Sequence, residues 1–293
     1  MKRRQEGQSV RVTAPAKVNL FLHITGRRDD GLHLLESLFV FTNNGDTITV
    51  THGESLSFSL VGPFSGALDA GGDNLVMKAA AALAHAAGIK AKATITLEKN
   101  LPVAAGIGGG SADAAATLLA LNRFWRLDWP LEKLAPIALS LGADVPACLY
   151  NKPLYVQGVG EKLTPVDLGF TAGMLLVNPN RELSTPAVFN AFRDAATPFD
   201  APMAGGSKPW QTVEGLQNDT QNSLQQPAIS ACPDIQGVLD YLIAIPGVKL
   251  ARMSGSGATC LALFDNKAEA EAAKTRGEKT KPEWWFMADE MTS

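Results

Sequence analysis

The order of apolar and polar positions predicts that strands and helices are mixed along the chain. Residues 10–24 form a mostly apolar, extended pattern that is interrupted at Ala14-Pro15-Ala16, and apolar or β-branched runs follow at residues 34–41 and 47–50. Clusters of Arg, Asp, Asn and Gly separate these runs, as turn residues do. The pattern therefore predicts three extended segments with turns at residues 27–31 and 43–46.

A helical pattern follows at residues 75–87. Asp73 or Asn74 can cap its start and Gly88 can close its end. A glycine-rich loop further along leads into an Ala/Leu-rich helix. The other elements predicted for this half are strands at residues 93–97 and 154–159 and helices at residues 112–124 and 131–141.

The pattern restarts near residues 163–168, and we place a boundary there between two domains, residues 1–165 and 166–293. Strands and helices remain mixed, so the fold class is α+β or α/β. The second half predicts strands at residues 174–177, 259–264 and 284–286, helices at residues 186–193, 235–242 and 268–274, a long Pro/Gly-rich loop at residues 197–212 and a small-residue loop at residues 252–257.

Composition narrows the class of protein. Apolar residues make up 46% of the 293 residues and charged residues 19%, which supplies ample material for a core and argues against disorder. The 26 Lys and Arg residues are slightly outnumbered by 29 Asp and Glu, and the net charge is −3. Because a nucleic-acid binder carries a basic face, nucleic acid is not an expected partner.

Cysteine and histidine spacing argues against disulfides and metal sites. Cys148, Cys232 and Cys260 are far apart and odd in number, which is typical of a reducing compartment. The four histidines lack metal-ligand spacing. The polar N-terminus has no apolar signal-peptide region, and no charge-free run reaches the roughly 18 residues of a membrane span. We therefore expect a soluble, cytoplasmic protein.

The loop before the Ala/Leu-rich helix is the strongest candidate for chemistry. It contains Gly106, Gly108, Gly109 and Gly110, and Ser111 follows them. The first N–H groups of a helix lack intrahelical partners, and the helix dipole places partial positive charge there. Glycine lets the backbone approach an anion closely. The loop is predicted to bind nucleotide phosphates, with Ser111 capping the helix or touching a phosphate.

Two common nucleotide loops do not match this one. A P-loop requires Gly-Lys followed by Ser or Thr, and the chain contains no Gly-Lys pair. A dinucleotide fingerprint requires a third glycine where this chain has Ser111. Close helix packing is an alternative reason for the glycines, and these residues alone favour neither interpretation.

Three further segments carry candidate residues, each with a structural alternative. Lys17 and Asn19 lie on one face of a predicted strand, although Lys17 could be a surface lysine of an edge strand. Asp144 stands in a small-residue turn and could simply cap a helix. The glycine-rich residues 254–257 could form an ordinary tight turn.

Together these segments resemble the GHMP kinases, which phosphorylate galactose, homoserine, mevalonate and phosphomevalonate. Those enzymes carry an N-terminal Pro-x-Lys/Arg region, a central phosphate loop and a C-terminal glycine-rich loop. The matching segments here are Pro15-Ala16-Lys17, residues 102–112 and residues 253–258.

Within this superfamily the chain is similar to the kinases of 4-diphosphocytidyl-2-C-methyl-D-erythritol, a cytidine conjugate of the non-mevalonate isoprenoid pathway. The similarity covers nearly the whole chain. It implies an α+β fold with a ribosomal-protein-S5-like N-terminal domain and a ferredoxin-like C-terminal domain. The segments that carry it, in the same order, are residues 14–20, 24–33, 141–146 and 158–161.

The resemblance also implies the reaction. ATP, with Mg²⁺, would phosphorylate the 2-hydroxyl of the erythritol unit, although the sequence offers no clear protein ligand for the metal. Asp144 would be the general base, and Lys17 would orient the hydroxyl and stabilise developing negative charge. Backbone N–H groups would hold the phosphates in the loop formed by Pro102, Val103, Ala104, Ala105, Gly106, Ile107, Gly108, Gly109, Gly110, Ser111 and Ala112.

Further residues are implied at the nucleotide and at the acceptor substrate. Asn74 and Lys99 would lie near the adenine or the ribose. His33 would read the edge of the cytosine, and Phe189 would stack on the base unless it is a core residue of its helix. The residues implied at the acceptor substrate are Asn19, His33, Thr185 and Phe189.

Three positions depart from the family pattern. Leu32 stands where an aromatic residue often lies beside the cytosine-reading histidine, which leaves stacking to Phe189 and predicts weaker cytosine binding. Ala104 and Ala105 replace two glycines of the phosphate loop. Because alanine tolerates fewer backbone conformations, we expect negative φ angles at both.

Two alternatives remain open. The first is a superfamily kinase for mevalonate or homoserine, which His33 and the sequence around Asp144 disfavour. The second is a non-catalytic nucleotide-binding or scaffold protein, which would need neither Lys17 nor Asp144. The expected ligands are small molecules, membranes are not expected partners, and the oligomeric state is left open between monomer and homodimer.

Overall fold

The computed structural model describes residues 9–67, 74–203 and 208–291. The first part contains β1 (Val10–Arg27), β2 (His33–Thr51), β3 (Leu56–Val61), α1 (Leu75–Ala87), β4 (Ala93–Glu98), α2 (Gly109–Phe124), α3 (Leu131–Leu141), α4 (Val145–Tyr150), β5 (Leu154–Gly158) and β6 (Lys162–Pro165). The second contains β7 (Gly173–Asn178), α5 (Thr185–Asp194), α6 (Val213–Asp219), α7 (Gln225–Ala231), α8 (Asp234–Ile243), β8 (Leu250–Met253), β9 (Cys260–Phe264), α9 (Lys267–Thr280) and β10 (Trp285–Glu290).

The chain divides into two compact units that interleave along the sequence. Unit 1 is formed by Met1–Ala16, Asn44–Val103 and Gly108–Asn151, and unit 2 by Lys17–Asn43, Ala104–Ile107 and Lys152–Ser293. Strands β1 and β2 pair with each other, and each passes from one unit into the other along its length. The domain boundary at residues 165/166 stays a prediction.

Unit 1 combines a small sheet with four helices. Strand β4 pairs antiparallel with β2 and parallel with β3. More buried and less buried side chains alternate along β3 and β4, as expected when one face of a sheet is covered. Helix α2 contacts α1, α3 and α4, so its apolar residues form the centre of the helical layer.

Helix α1 shows the predicted start and end. The Asn74 side chain accepts a hydrogen bond from the Val76 N–H at 2.8 Å, and Gly88 closes the helix with a φ of 64°. Asn74 is therefore the cap, whereas Asp73, the alternative, lies outside the described residues.

Unit 2 contains an antiparallel sheet in the order β10-β7-β9-β8. Every residue of β7 and β9 is buried, and helices α8 and α9 contact the sheet. Numbered along the chain, the strand order is 4-1-3-2, with helices after the first and third strands. This is the ferredoxin-like arrangement, which confirms the fold predicted for the C-terminal part.

Two predicted interruptions are absent. Strand β1 continues through Ala14-Pro15-Ala16, and β2 continues through residues 43–46. Gly45 supplies the reason, because a Cβ there would lie 2.1 Å from the Ala14 carbonyl oxygen. A glycine in a strand can mark a close backbone approach instead of a turn, and the turn prediction was wrong for that reason.

Other boundaries also differ from the predictions. Helix α2 begins at Gly109 and is preceded by Gly108 with a φ of 63°, so Ser111 lies in the first turn and does not cap the helix. The predicted loop at residues 197–212 includes a short 3-10 helix, Pro209–Gln211, and residues 204–207 lie outside the described residues. The pattern missed β3, β6, β8, α4, α6 and α7.

Candidate active site

The glycine-rich loop joins β4 to α2 and takes left-handed backbone conformations. Gly106 and Gly108 have φ values of 72° and 63°, and Ala104 has a φ of 51°. The expectation of a negative φ at Ala104 was therefore wrong, whereas Ala105 is not among the residues with positive φ. Because the left-handed region costs an L-residue roughly 1–2 kcal/mol, the loop holds Ala104 against its own preference.

Gly106 is packed against the C-terminal glycine-rich loop, which belongs to unit 2 as Gly106 does. A Cβ there would lie 2.6–2.7 Å from the backbone of Gly257 and Ser254. The Ser254 hydroxyl donates to the Gly106 carbonyl at 3.2 Å, and the Thr259 N–H donates to the Ala105 carbonyl at 3.1 Å. The C-terminal glycine-rich loop thus fixes the centre of the phosphate loop and is more than a tight turn.

Lys17 is buried in an apolar strand, with only 6% of its surface exposed. Its ammonium lies 3.2 Å from Asn19 Oδ1 and 4.2 Å from the centre of the Phe39 ring. Its backbone N–H donates to the Ile107 carbonyl at 2.9 Å. The alternative of a surface lysine on an edge strand is therefore wrong, because the cation is inside and its strand is bonded to the phosphate loop.

Asn19 connects the Lys17 strand to its neighbours within unit 2. Its Nδ2 donates to the Ser37 hydroxyl at 2.8 Å, and its backbone N–H donates to the Ser254 hydroxyl at 3.0 Å. Ser254 is the residue that also bonds Gly106. Asn19, Lys17 and both glycine-rich loops are therefore joined by short hydrogen bonds.

Asp144 lies directly before α4 and is partly exposed, while the next residues, Val145 and Pro146, are buried. Its backbone φ and ψ are −83° and −16°, and its side chain makes no capping hydrogen bond to the helix. The alternative that Asp144 is merely a helix cap is therefore not supported. Asp144 belongs to unit 1 and Lys17 to unit 2, so their joint action stays a prediction.

His33 and Phe189 do come together. Their ring centres are 5.0 Å apart with planes tilted by 31°, and Phe192 meets His33 edge-on at 5.8 Å. Burial lowers the pKa of His33, and the nearby Arg27 and Arg193 lower it further. A neutral imidazole is thereby favoured, which offers one donor and one acceptor.

The remaining acceptor-site candidates differ in exposure. Thr185 is exposed at the start of α5, and its hydroxyl lies 2.8 Å from that of Ser256 in the C-terminal glycine-rich loop. Phe189 is half-buried and packs against the core of unit 2 as well as against His33. Leu32 is 51% exposed, so the position beside His33 is apolar and open.

Lys99 and Asn74 already have structural partners. Lys99 is 2% exposed, and its ammonium is bonded to Asp46 and, at 2.8 Å, to Asp113. The Oδ1 of Asn74 caps α1. The sequence pattern had not singled out Asp46 or Asp113, although a charged residue inside an Ala-rich helix was a visible signal for Asp113.

Within residues 9–67, 74–203 and 208–291, no group of three His, Cys, Asp or Glu side chains could hold a metal ion. Among the helices of those ranges, none is long and apolar enough to cross a bilayer.

Comparison with known proteins identifies the family. The model of the GHMP kinases N terminal domain matches residues 74–152, and that of the GHMP kinases C terminal matches residues 210–282. With the two-domain α+β fold, these matches define the chain as a GHMP kinase, a small-molecule kinase of a superfamily that uses ATP.

Closer relatives narrow the class. The 4-diphosphocytidyl-2-C-methyl-D-erythritol kinase of Paracoccus denitrificans is 50% identical over 95% of this chain and 95% of its own. The enzyme of the same name from Rhodospirillum rubrum is 46% identical over 97% of this chain and 93% of its own. A crystal structure of 4-(cytidine 5'-diphospho)-2C-methyl-D-erythritol kinase is similar with a TM-score of 0.81 at 32% identity, covering 97% of this chain and 99% of that one. The chain belongs to the family of 4-diphosphocytidyl-2-C-methyl-D-erythritol kinases.

Proposed function

We propose that this kinase transfers the γ-phosphate of ATP to the 2-hydroxyl of 4-diphosphocytidyl-2-C-methyl-D-erythritol. The names of relatives that match nearly its full length support this substrate. The motif residues Lys17, His33 and Asp144 support the same assignment, because the family resemblance gives each of them a role in this reaction.

The observation that carries the proposal is the environment of Lys17. Its ammonium is buried against Phe39 and Asn19, and its backbone is bonded to Ile107 of the phosphate loop. A cation in a low-dielectric environment interacts far more strongly with developing negative charge than one in water. Lys17 is therefore suited to stabilise an alkoxide-like oxygen that attacks a phosphate.

Asp144 is assigned the proton transfer. Its carboxylate would accept the proton as the O–H bond of the 2-hydroxyl breaks, and the oxygen would form a bond to the γ-phosphorus. The bond between that phosphorus and the β,γ-bridging oxygen then breaks, and ADP leaves. Asp144 directly precedes α4 and is partly exposed, and this accessible position supports the role.

The phosphates of ATP would bind at the loop of residues 102–112. Gly109 and Gly110 occupy the first turn of α2, where backbone N–H groups have no intrahelical partner. Gly110 is exposed, so a phosphate can reach it. Mg²⁺ would be bound together with ATP and would neutralise phosphate charge.

The cytosine would be read by His33 with Phe189 as the stacking partner. A neutral imidazole can pair with both donors and acceptors on a base edge, and the lowered pKa of His33 favours that form. Asn19 and Thr185 complete the proposed acceptor site, while Asn74 remains proposed near the adenine or ribose.

Initial rates with three acceptors test this function. The purified protein is given ATP and Mg²⁺ with 4-diphosphocytidyl-2-C-methyl-D-erythritol, mevalonate or homoserine, and ADP release is followed. We expect kcat/KM for the cytidine conjugate to exceed that for the other two by at least a hundredfold. Faster transfer to mevalonate or homoserine would refute the proposed substrate, and no transfer to any of the three would favour a non-catalytic role.

A further inference from the structure

Lys99, Asp46 and Asp113 form a buried cluster within unit 1, next to residues 100–101 and the start of α2. All three residues are at most 3% exposed. The Lys99 ammonium bonds both carboxylates, which come from β2 and α2, respectively. Two acids and one base in one buried place are costly unless they are well paired, so the arrangement calls for a functional explanation.

Asp46 fixes the first residues of the loop. Its Oδ1 accepts the backbone N–H groups of Asn100 at 2.6 Å and Leu101 at 2.8 Å. The Asn100 side chain in turn donates to the Gly45 carbonyl at 3.3 Å. These bonds hold Asn100 and the backbone of Leu101 in place. The predicted phosphate-binding residues begin directly after them, at Pro102.

Asp113 fixes the other end of the loop. It lies in the second turn of α2, five residues after Gly108, and its Oδ2 bonds the Lys99 ammonium at 2.8 Å. A Cβ added at Gly109 would lie 3.1 Å from that same ammonium. Lys99 therefore sits directly against the first residue of α2, where phosphate is proposed to bind.

One oxygen of the cluster has no partner. Asp113 Oδ1 is buried and makes no hydrogen bond within the described structure. Burial raises the pKa of Asp113 to about 7, with Asp46 raising it and Lys99 opposing the shift. Burial acts to lower the pKa of Lys99, but the two carboxylates outweigh that effect and raise it. Lys99 is therefore charged and bonds both carboxylates.

We propose that Lys99, Asp46 and Asp113 are positioning residues that tie the start of the phosphate loop to the first turns of α2, so that the N–H groups between them are held ready for ATP. The inference rests on the proposed role of this loop in ATP binding. It replaces direct contact of Lys99 with the adenine or ribose, because the ammonium is buried and already bonded to two carboxylates. Preorganised donors bind an anion better than mobile ones because less order is lost on binding.

Asp113→Leu separates this role from general stability. The substitution replaces one buried acid with an apolar side chain of similar size and leaves a charge-balanced Lys99–Asp46 pair, so that no buried charge is left without a partner. Asp113→Asn keeps an oxygen that can accept from Lys99. Asn122→Leu is the matched control, because Asn122 is also buried on α2 but bonds Trp129 at the far end of the helix.

The measurement is the dissociation constant of adenylyl imidodiphosphate by calorimetry, with melting temperatures and the KM for ATP alongside. We expect at least tenfold weaker binding for Asp113→Leu, near-normal binding for Asp113→Asn, and a change below twofold for Asn122→Leu. The KM for the cytidine conjugate should not change in any of them. If Asp113→Leu does not fold, Asp113→Ala should show the same weakening, and Lys99→Met/Asp113→Leu measures what Lys99 itself adds.

Two results would overturn the inference while the proposed function stands. One is wild-type binding in the folded Asp113→Leu variant; the other is equal weakening in Asn122→Leu, which would indicate a general loss of α2 stability. If binding of the ATP analogue weakens only in the variant that changes Lys99, direct contact of Lys99 with the nucleotide would be supported instead. A wild-type protein that binds no analogue would remove the proposed function first, and the inference with it.

Discussion

His33 illustrates how much of the proposed recognition depends on single side chains. It contacts Phe189 and Phe192 by its ring faces and edges, and the lowered pKa keeps it neutral near pH 7. Leu32 beside it is exposed and cannot stack as an aromatic ring does. Hydrogen bonding by His33 therefore carries a larger share of cytosine recognition in this chain.

His33→Ala is expected to weaken binding of the cytidine conjugate and to leave binding of ATP unchanged. An unpaired polar group in the bound complex costs about 1–3 kcal/mol, which corresponds to a rise in KM of roughly 5- to 150-fold. Steady-state KM values for both substrates measure this effect. His52→Ala is the control, because His52 is exposed. An unchanged KM for the cytidine conjugate would make His33 a packing residue.

His23 is a second histidine whose protonation matters, in this case for stability. It is 7% exposed, its Nε2 accepts the Gln221 N–H at 3.1 Å, and its Nδ1 has no partner in the described structure. Burial lowers the pKa of His23, and Arg252 lowers it further, whereas Asp200 and Glu36 act to raise it. Protonation would place charge in the interior and remove the acceptor of that bond.

The sign of the pH effect follows from the lowered pKa. The unfolded state binds more protons than the folded state, so this contribution is complete above about pH 6.5 and is lost as the pH falls toward the folded-state pKa. We expect the melting temperature to fall more between pH 7.5 and 5.5 in the wild type than in His23→Gln, which keeps an acceptor but does not titrate. Equal decreases would exclude His23 as the titrating group.

At the scale of elements, Gly45 shows how a strand can contain a turn-like sequence. The run Asn43-Asn44-Gly45-Asp46 carries turn residues, yet β2 passes straight through it. Gly45 permits the close approach of β1, while the Asp46 carboxylate accepts backbone N–H groups from the phosphate loop. The same residues that signal a turn are used here for packing and for loop positioning.

Gly45→Ala should therefore destabilise unit 1. A Cβ would lie within 2.1–2.9 Å of backbone atoms of Ala14 and Pro15, and overpacking of this kind costs about 1–3 kcal/mol or more. Chemical denaturation measures the loss. Gly237→Ala is the control, because nothing lies within 4 Å of its added Cβ and Gly237 is inside α8, where alanine is favoured. A Gly45 variant as stable as the control would contradict the close approach.

Local patterns predicted most of the regular elements but not the long-range contacts. Helix α1 with its Asn74 cap and strands β7, β9 and β10 of the C-terminal sheet follow from periodicity and capping residues, which act over a few positions. The short elements β6, α6 and α7 lack a long periodic pattern. Ala104 took a left-handed φ because contacts of the folded loop override the preference of the residue.

At the scale of the whole molecule, the sequence motifs alone indicate the family. Lys17 and Asn19 were predicted on one strand face and lie 3.2 Å apart at their side chains. Ser254 and the Lys99–Asp46–Asp113 cluster were not assigned as partners of the phosphate loop, because their contacts join positions far apart in sequence. Such pairings depend on the tertiary fold and leave no local pattern.

The most direct test of the central claim is the turnover of Asp144→Asn with ATP and 4-diphosphocytidyl-2-C-methyl-D-erythritol. A general base contributes roughly 10²- to 10⁴-fold to rate, and Asn cannot accept the proton. We predict a loss of at least a hundredfold in kcat, with the dissociation constant of the ATP analogue nearly unchanged. Turnover close to that of the wild type would remove Asp144 from the mechanism and contradict the account.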